Sequence, residues 1–119
     1  VLYVEDNPAN LFLVEQICEH LSKIKLISAH TGDLGLAVAS SSKPDLILLD
    51  INLPGLNGFE VLHRLRSQES TADIPILALS ANAMPIDIQK GRDEGFDDYI
   101  TKPIEVKKLL TVLNEYLTD

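Results

Sequence analysis

Short apolar runs recur along the chain, separated by stretches in which apolar residues return every three or four positions. The runs fall at residues 1–4, 25–29, 46–49, 76–79 and 99–100, and each predicts a strand. The third and fourth are apolar without interruption, as parallel strands covered on both faces are. Between them lies room for one helix each. Over 8–21, Leu11, Val14, Ile17, Cys18 and Leu21 form a core stripe, with Phe12 nearly opposite it and Leu13 on its border. Asn7-Pro8 supplies the cap and first turn of that helix, and Asn57 caps the third. Asp73-Ile74-Pro75 ends whatever follows the third helix. Over 84–94, Ile88 is the main apolar residue and Gly91 sits in the interior, so this helix is expected to be the most lightly anchored. Over 105–117, Val106, Leu109, Leu110, Leu113 and Leu117 are expected to face inward. Five strand–helix repeats predict an α/β fold, a doubly wound five-stranded parallel sheet with five helices and right-handed crossovers.

Composition narrows the class. A chain of 119 residues suits a single domain spanning 1–119, and its 45% hydrophobic content excludes disorder. One cysteine, Cys18, cannot build a disulfide scaffold or a cysteine-rich zinc site, and it suits a reducing, cytoplasmic setting. No apolar run approaches a membrane span, and no secretory leader pattern is visible. The net charge of −8 argues against a nucleic-acid surface. The first residue is Val1, already inside an apolar run, so we expect a domain cut from a longer chain or lacking its first residues.

The candidate chemistry lies at the carboxyl ends of the strands, where open parallel sheets bind ligands. Glu5-Asp6 follow the first strand, Asp50 the third, Ser80 the fourth, and Lys102 the fifth after Thr101. In the order 2-1-3-4-5 the first and third strands are neighbours at the point where strand order reverses. Three carboxylates then converge beside a hydroxyl and an ammonium. Crowded acids repel unless a cation sits among them, and an all-oxygen set selects a hard ion such as Mg²⁺. Such parts suit a metal-bridged phosphoryl group on a carboxylate. Singly, each residue has an ordinary explanation: Asp50 as a loop acid, Glu5-Asp6 and Ser80 as helix caps, Lys102 as a surface lysine. Their joint placement raises the functional reading above these.

Four motifs carry a family resemblance. They are Val4-Glu5-Asp6-Asn7-Pro8; Asp45-Leu46-Ile47-Leu48-Leu49-Asp50-Ile51-Asn52-Leu53-Pro54-Gly55-Leu56-Asn57-Gly58; Ile76-Leu77-Ala78-Leu79-Ser80-Ala81-Asn82-Ala83; and Asp98-Tyr99-Ile100-Thr101-Lys102-Pro103. In that order and spacing the chain resembles, over essentially its whole length, the flavodoxin-like receiver domain of two-component response regulators. The resemblance implies that Asp50 is the phosphoacceptor and that Asp6 is a direct ligand of Mg²⁺ or Mn²⁺. It implies Glu5 as the acid acting through water and Asn52 as donor of a backbone carbonyl to the metal. Ser80, the Ala81 amide and Lys102 would bind the phosphoryl group, and Ser80 and Tyr99 would form the switch that moves the helix 4/strand 5/helix 5 face. It also implies self-phosphorylation and self-dephosphorylation, and a cis bond before Pro103. Glu5 stands where many members carry Asp. The wording of Ser80-Ala81-Asn82-Ala83-Met84 and of Asp97-Asp98-Tyr99-Ile100-Thr101-Lys102-Pro103 is similar to receivers of hybrid sensor histidine kinases.

The implied partner is a histidine kinase or histidine phosphotransfer domain, with no nucleic acid or membrane bound by this domain. Phe12 and Leu13, with Pro103 and Ile104, are apolar residues beside the site that the core does not need, and are expected to dock that partner. Other readings are weaker. An aspartyl-nucleophile phosphatase needs a second Asp two residues after the first, where this chain has Asn52. A flavin binder needs a hydroxyl- or glycine-rich phosphate loop where Glu5-Asp6 stand, and no Gly-x-Gly-x-x-Gly occurs. A protein-interaction module that is not phosphorylated remains as the plain alternative. His20, His30 and His63 show no ligand spacing and are expected on the surface, and Cys18 is expected to be inert in the core.

Overall fold

The computed structural model describes every residue except His20, Ser22, Lys23, Pro54, Leu56, Ala83, Thr118 and Asp119. Its elements alternate: β1 (Leu2–Val4), α1 (Pro8–Glu19), β2 (Ile27–Ala29), α2 (Gly32–Ser42), β3 (Ile47–Asp50), α3 (Gly58–Ser67), β4 (Ile76–Ser80), α4 (Pro85–Glu94), β5 (Asp98–Thr101) and α5 (Val106–Leu117). The strands form one parallel sheet in the order β2-β1-β3-β4-β5. The predicted architecture is therefore the observed one. The expected position of His20 lies outside the described residues.

Side chains alternate across the central strands and build two cores. Leu2, Val4, Ile47, Leu49, Ile76, Ala78 and Tyr99 pack on the face covered by α2, α3 and α4. Tyr3, Leu48, Leu77, Leu79 and Ile100 pack on the other face against α1 and α5. Two glycines permit close helix approach. A Cβ on Gly35 of α2 would lie 2.8 Å from the Val4 side chain, and one on Gly58 of α3 would lie 2.7 Å from the Asp50 carbonyl oxygen. The second contact seats α3 directly behind the end of β3.

Local capping follows the sequence. Asn7 Oδ1 accepts from the Ala9 amide at 2.9 Å, and Asn57 Oδ1 from the Glu60 amide at 3.1 Å. The stripe of α1 is as expected, with Val14, Ile17 and Cys18 buried, Leu11 and Leu21 partly so, and Phe12 exposed.

Two expectations need correction, and a third gains a structural reason. The inward face of α5 is Leu109, Val112 and Leu113, while Val106 and Leu110 are exposed. Both stripes of that helix are apolar, and the seat against the sheet selects one. Ile104 is buried in the α1/α5 core, so it is no part of an exposed apolar rim. Gly91 is more than a weak point of α4: a Cβ there would lie 2.8 Å from Tyr99 Cδ2, so the glycine lets α4 rest on the Tyr99 ring. The C-terminal end of α4 is further held by Arg66 of α3, which donates to the carbonyls of Ala72, Ile74 and Gly95 and to the Asp97 carboxylate. Its N-terminal end presents Met84 and Ile86 to solvent.

Candidate functional site

The sheet order brings the ends of β1 and β3 side by side, and the loops after them carry the acids. Glu5, Asp6 and Asp50 place one carboxylate oxygen each within 4.8 Å of the others. Glu5 and Asp50 are buried and Asp6 is exposed. Lys102, just after β5, reaches across with Nζ 2.9 Å from Glu5 Oε1 and 3.2 Å from Asp50 Oδ2. The Lys102–Pro103 bond is cis.

Glu5 is held by more than the lysine. Its Oε1 accepts from the Tyr3 hydroxyl at 2.8 Å and from Asn10 Nδ2 at 3.2 Å, and its Oε2 from the Asn7 amide at 3.4 Å. Burial works against the Glu5 charge, but hydrogen bonds from the Asp50 carboxyl, Lys102 and Tyr3 outweigh it and hold the acid below the usual carboxylate range. Asp50 is pushed up to about 6 by burial and by the neighbouring Glu5, against the Asn52 amide and Lys102. That Asn52 amide donates to Asp50 Oδ1 at 3.0 Å. Lys102 loses by burial but gains more from Glu5 and Asp50, so its pKa is raised. Burial and Glu5 push the Tyr3 phenol far up, so it remains a donor.

Ser80 is fully buried at the end of β4, with Oγ accepting from the Asn82 amide at 3.0 Å. The Asn82 carbonyl accepts from the Tyr99 hydroxyl at 2.9 Å. One residue, Asn82, thus links the serine at the site to the aromatic ring under α4. Ala81 is exposed beside Ser80. Phe12 and Pro103 are exposed and Leu13 is half-buried, whereas Ile104 belongs to the core. The contacts with Glu5 that the sequence did not foretell are those of Tyr3, Asn10 and the Asn7 amide. Period-two alternation puts Tyr3 on the same face as Glu5, a signal that was available for one of the three.

The donor set fits a small hard cation. All donors are oxygens and two of the three acids are buried, the chemistry a hard divalent cation selects.

The doubly wound sheet thus brings carboxylates and a lysine together at its switch point, where such sheets bind ligands. The family model "Response regulator receiver domain" matches residues 1–114, and the chain belongs to that family, a receiver domain of two-component signalling. The chain is similar to the DNA-binding dual master transcriptional regulator RpaA of Synechocystis, 43% identical over 92% of the chain, and spans just under half (45%) of that relative. It is 38% identical, over its full length and 96% of the relative, to the polar-differentiation response regulator DivK of Brucella ovis. Among solved structures it is similar to the receiver domain of a sensor histidine kinase from Pseudomonas aeruginosa PAO1, solved with magnesium coordinated in the active-site cleft. The TM-score is 0.87 and the identity 32%, covering 97% of this chain and 93% of that one.

Proposed function

We propose that Asp50 is the phosphoacceptor and takes a phosphoryl group from a phosphohistidine on a histidine kinase or histidine phosphotransfer domain. The observation that carries this reading is the Asp50 carboxylate, buried, 3.2 Å from the Lys102 ammonium and inside a three-acid cluster. In the transfer, an Asp50 oxygen forms a bond to phosphorus while the P–N bond breaks, its electron pair staying on the donor imidazole. The Asn52 amide on Asp50 Oδ1 fixes the carboxylate so that its other oxygen is the nucleophile. Lys102 offsets charge on the phosphoryl oxygens, and Ser80 with the Ala81 amide binds them. Asp6, Asp50 and the Asn52 carbonyl would hold Mg²⁺ or Mn²⁺, with Glu5 acting through water. The ion when bound supplies positive charge that offsets repulsion between the phosphoryl oxygens and the acids.

The same reading extends outward. Residues 1–119 act as one receiver unit of the cytoplasmic part of a signalling chain, with a hybrid sensor kinase as the favoured context. Among the described residues no helix is long and apolar enough to cross a membrane. Drawing Ser80 toward a phosphoryl group would pull on Asn82 and so on Tyr99, the link by which α4, β5 and α5 would respond. The test is labelling by a phosphohistidine donor and by acetyl phosphate, with and without Mg²⁺. The parent is expected to label in the presence of Mg²⁺ and Asp50→Asn to fail with both donors. Equal labelling of parent and variant would overturn the assignment.

A further inference from the structure

Glu5 is fully buried, and a buried carboxylate is tolerated only while hydrogen-bonded or paired. Its Oε1 has three donors: the Tyr3 hydroxyl, Asn10 Nδ2 and Lys102 Nζ. Lys102 alone of the three also reaches Asp50. A phosphoryl group on Asp50 adds negative charge next to Nζ and draws the ammonium toward it, so Glu5 loses part of its pairing at the moment the site is loaded. We infer that Tyr3 and Asn10 are positioning residues of this site, which keep Glu5 Oε1 hydrogen-bonded while Lys102 turns to the phosphoryl group. This inference rests on the phosphoacceptor reading of Asp50.

The placement suits the role. Tyr3 is two residues before Glu5 on the same face of β1, and its ring is fully buried between the sheet and the α1/α5 side. A phenylalanine would fill that space, so packing does not account for the hydroxyl. Burying an unpartnered hydroxyl is costly, and Glu5 is the acceptor that satisfies it. Asn10 sits in the first turn of α1. Both act through Glu5.

The experiment compares parent, Tyr3→Phe and Asn10→Ala by calorimetric titration of Mg²⁺ alone, then of beryllofluoride, a phosphoryl mimic, at saturating Mg²⁺. Tyr3→Phe is expected to stay folded, to keep Mg²⁺ affinity within about twofold, and to bind beryllofluoride roughly tenfold more weakly, as loss of one hydrogen bond to a charged group implies. Asn10→Ala should act in the same direction. A second readout needs no ligand: in metal-free protein, Tyr3→Phe should lower the urea midpoint more in a Lys102→Met background than in the parent, because Glu5 then has neither partner. If Lys102→Met does not fold, the single-variant titrations decide. Parent and Tyr3→Phe binding beryllofluoride equally would overturn the positioning role while leaving the phosphoacceptor reading intact. A parent that binds none would overturn both.

Discussion

At the residue scale, two neighbouring acids in one site are set apart by their partners. Glu5, under Tyr3, Asn10 and Lys102, is held ionised, while Asp50, buried beside that charge, keeps its proton to about 6 in metal-free protein. A metal ligand must be deprotonated, so in the metal role proposed for Asp50 cation and proton compete for it. Apparent Mg²⁺ affinity should therefore rise from pH 4 to about 6 and flatten above it, with proton release seen by calorimetry in buffers of different ionisation enthalpy. Release of no proton near pH 5 would contradict this. The signs for stability differ between the two acids. Asp50, raised on folding, binds more protons folded than unfolded, so its contribution to stability falls as pH rises through that window. Glu5, lowered on folding, contributes stability present above its unfolded value and lost as pH falls below it. Asp6 is exposed, and among the described residues it has no such net of donors, which leaves its carboxylate open to a cation. Asp6→Ala is expected to weaken Mg²⁺ binding more than Glu5→Gln does, and equal or reversed effects in a titration would reject that division. Much at this scale was legible in the sequence, because Glu5, Asp6, Asp50, Ser80 and Lys102 all sit one or two positions past an apolar run. Asn10 was not, since nothing in composition says which polar residue of a first turn bends back over a strand end.

At the element scale, α4 is held at one end and loose at the other. Gly91 touches the Tyr99 ring and Arg66 ties down the Gly95 end, while Met84 and Ile86 stand in solvent. Gly91→Ala separates two effects. Helix propensity favours Ala by ~1 kcal/mol, but a Cβ 2.8 Å from Tyr99 Cδ2 overpacks the contact, at a typical cost of ~1–3 kcal/mol. The clash should win, so urea unfolding should show a net loss of stability; a net gain would mean that α4 simply shifts to make room. With the Asn82 link in place, beryllofluoride should also change amide exchange in α4 more than in α3, and an unaltered α4 would count against the coupling. The sequence showed α4 to be lightly anchored but could not show why its glycine is there, because that depends on which ring lies beneath it. The same limit explains α5. Its residues 106, 109, 110, 113 and 117 and its residues 109, 112, 113 and 116 are both apolar stripes, and only the packed sheet distinguishes them.

At the scale of the whole molecule, the proposed phosphoacceptor role of Asp50 requires a partner that brings a phosphohistidine onto the rim around it. The exposed apolar part of that rim near α1 is Phe12, with half-buried Leu13 and exposed Pro103; Ile104 stabilises the core instead. Truncating Phe12 to Ala should slow transfer from a protein donor several-fold by weakening docking, and leave labelling by acetyl phosphate nearly unchanged, since the small donor needs only the pocket. Equal losses with both donors would place the damage in the site or the fold. The phosphotransfer outcomes depend on where the phosphoryl group goes, and that can be read directly. Borohydride reduces an aspartyl phosphate to homoserine, so reduction of the labelled protein followed by peptide mass spectrometry marks the acceptor. The account predicts homoserine at position 50, present only when phosphodonor and Mg²⁺ were both supplied. Homoserine at position 6, or at no acid in a protein that has been labelled, would contradict it.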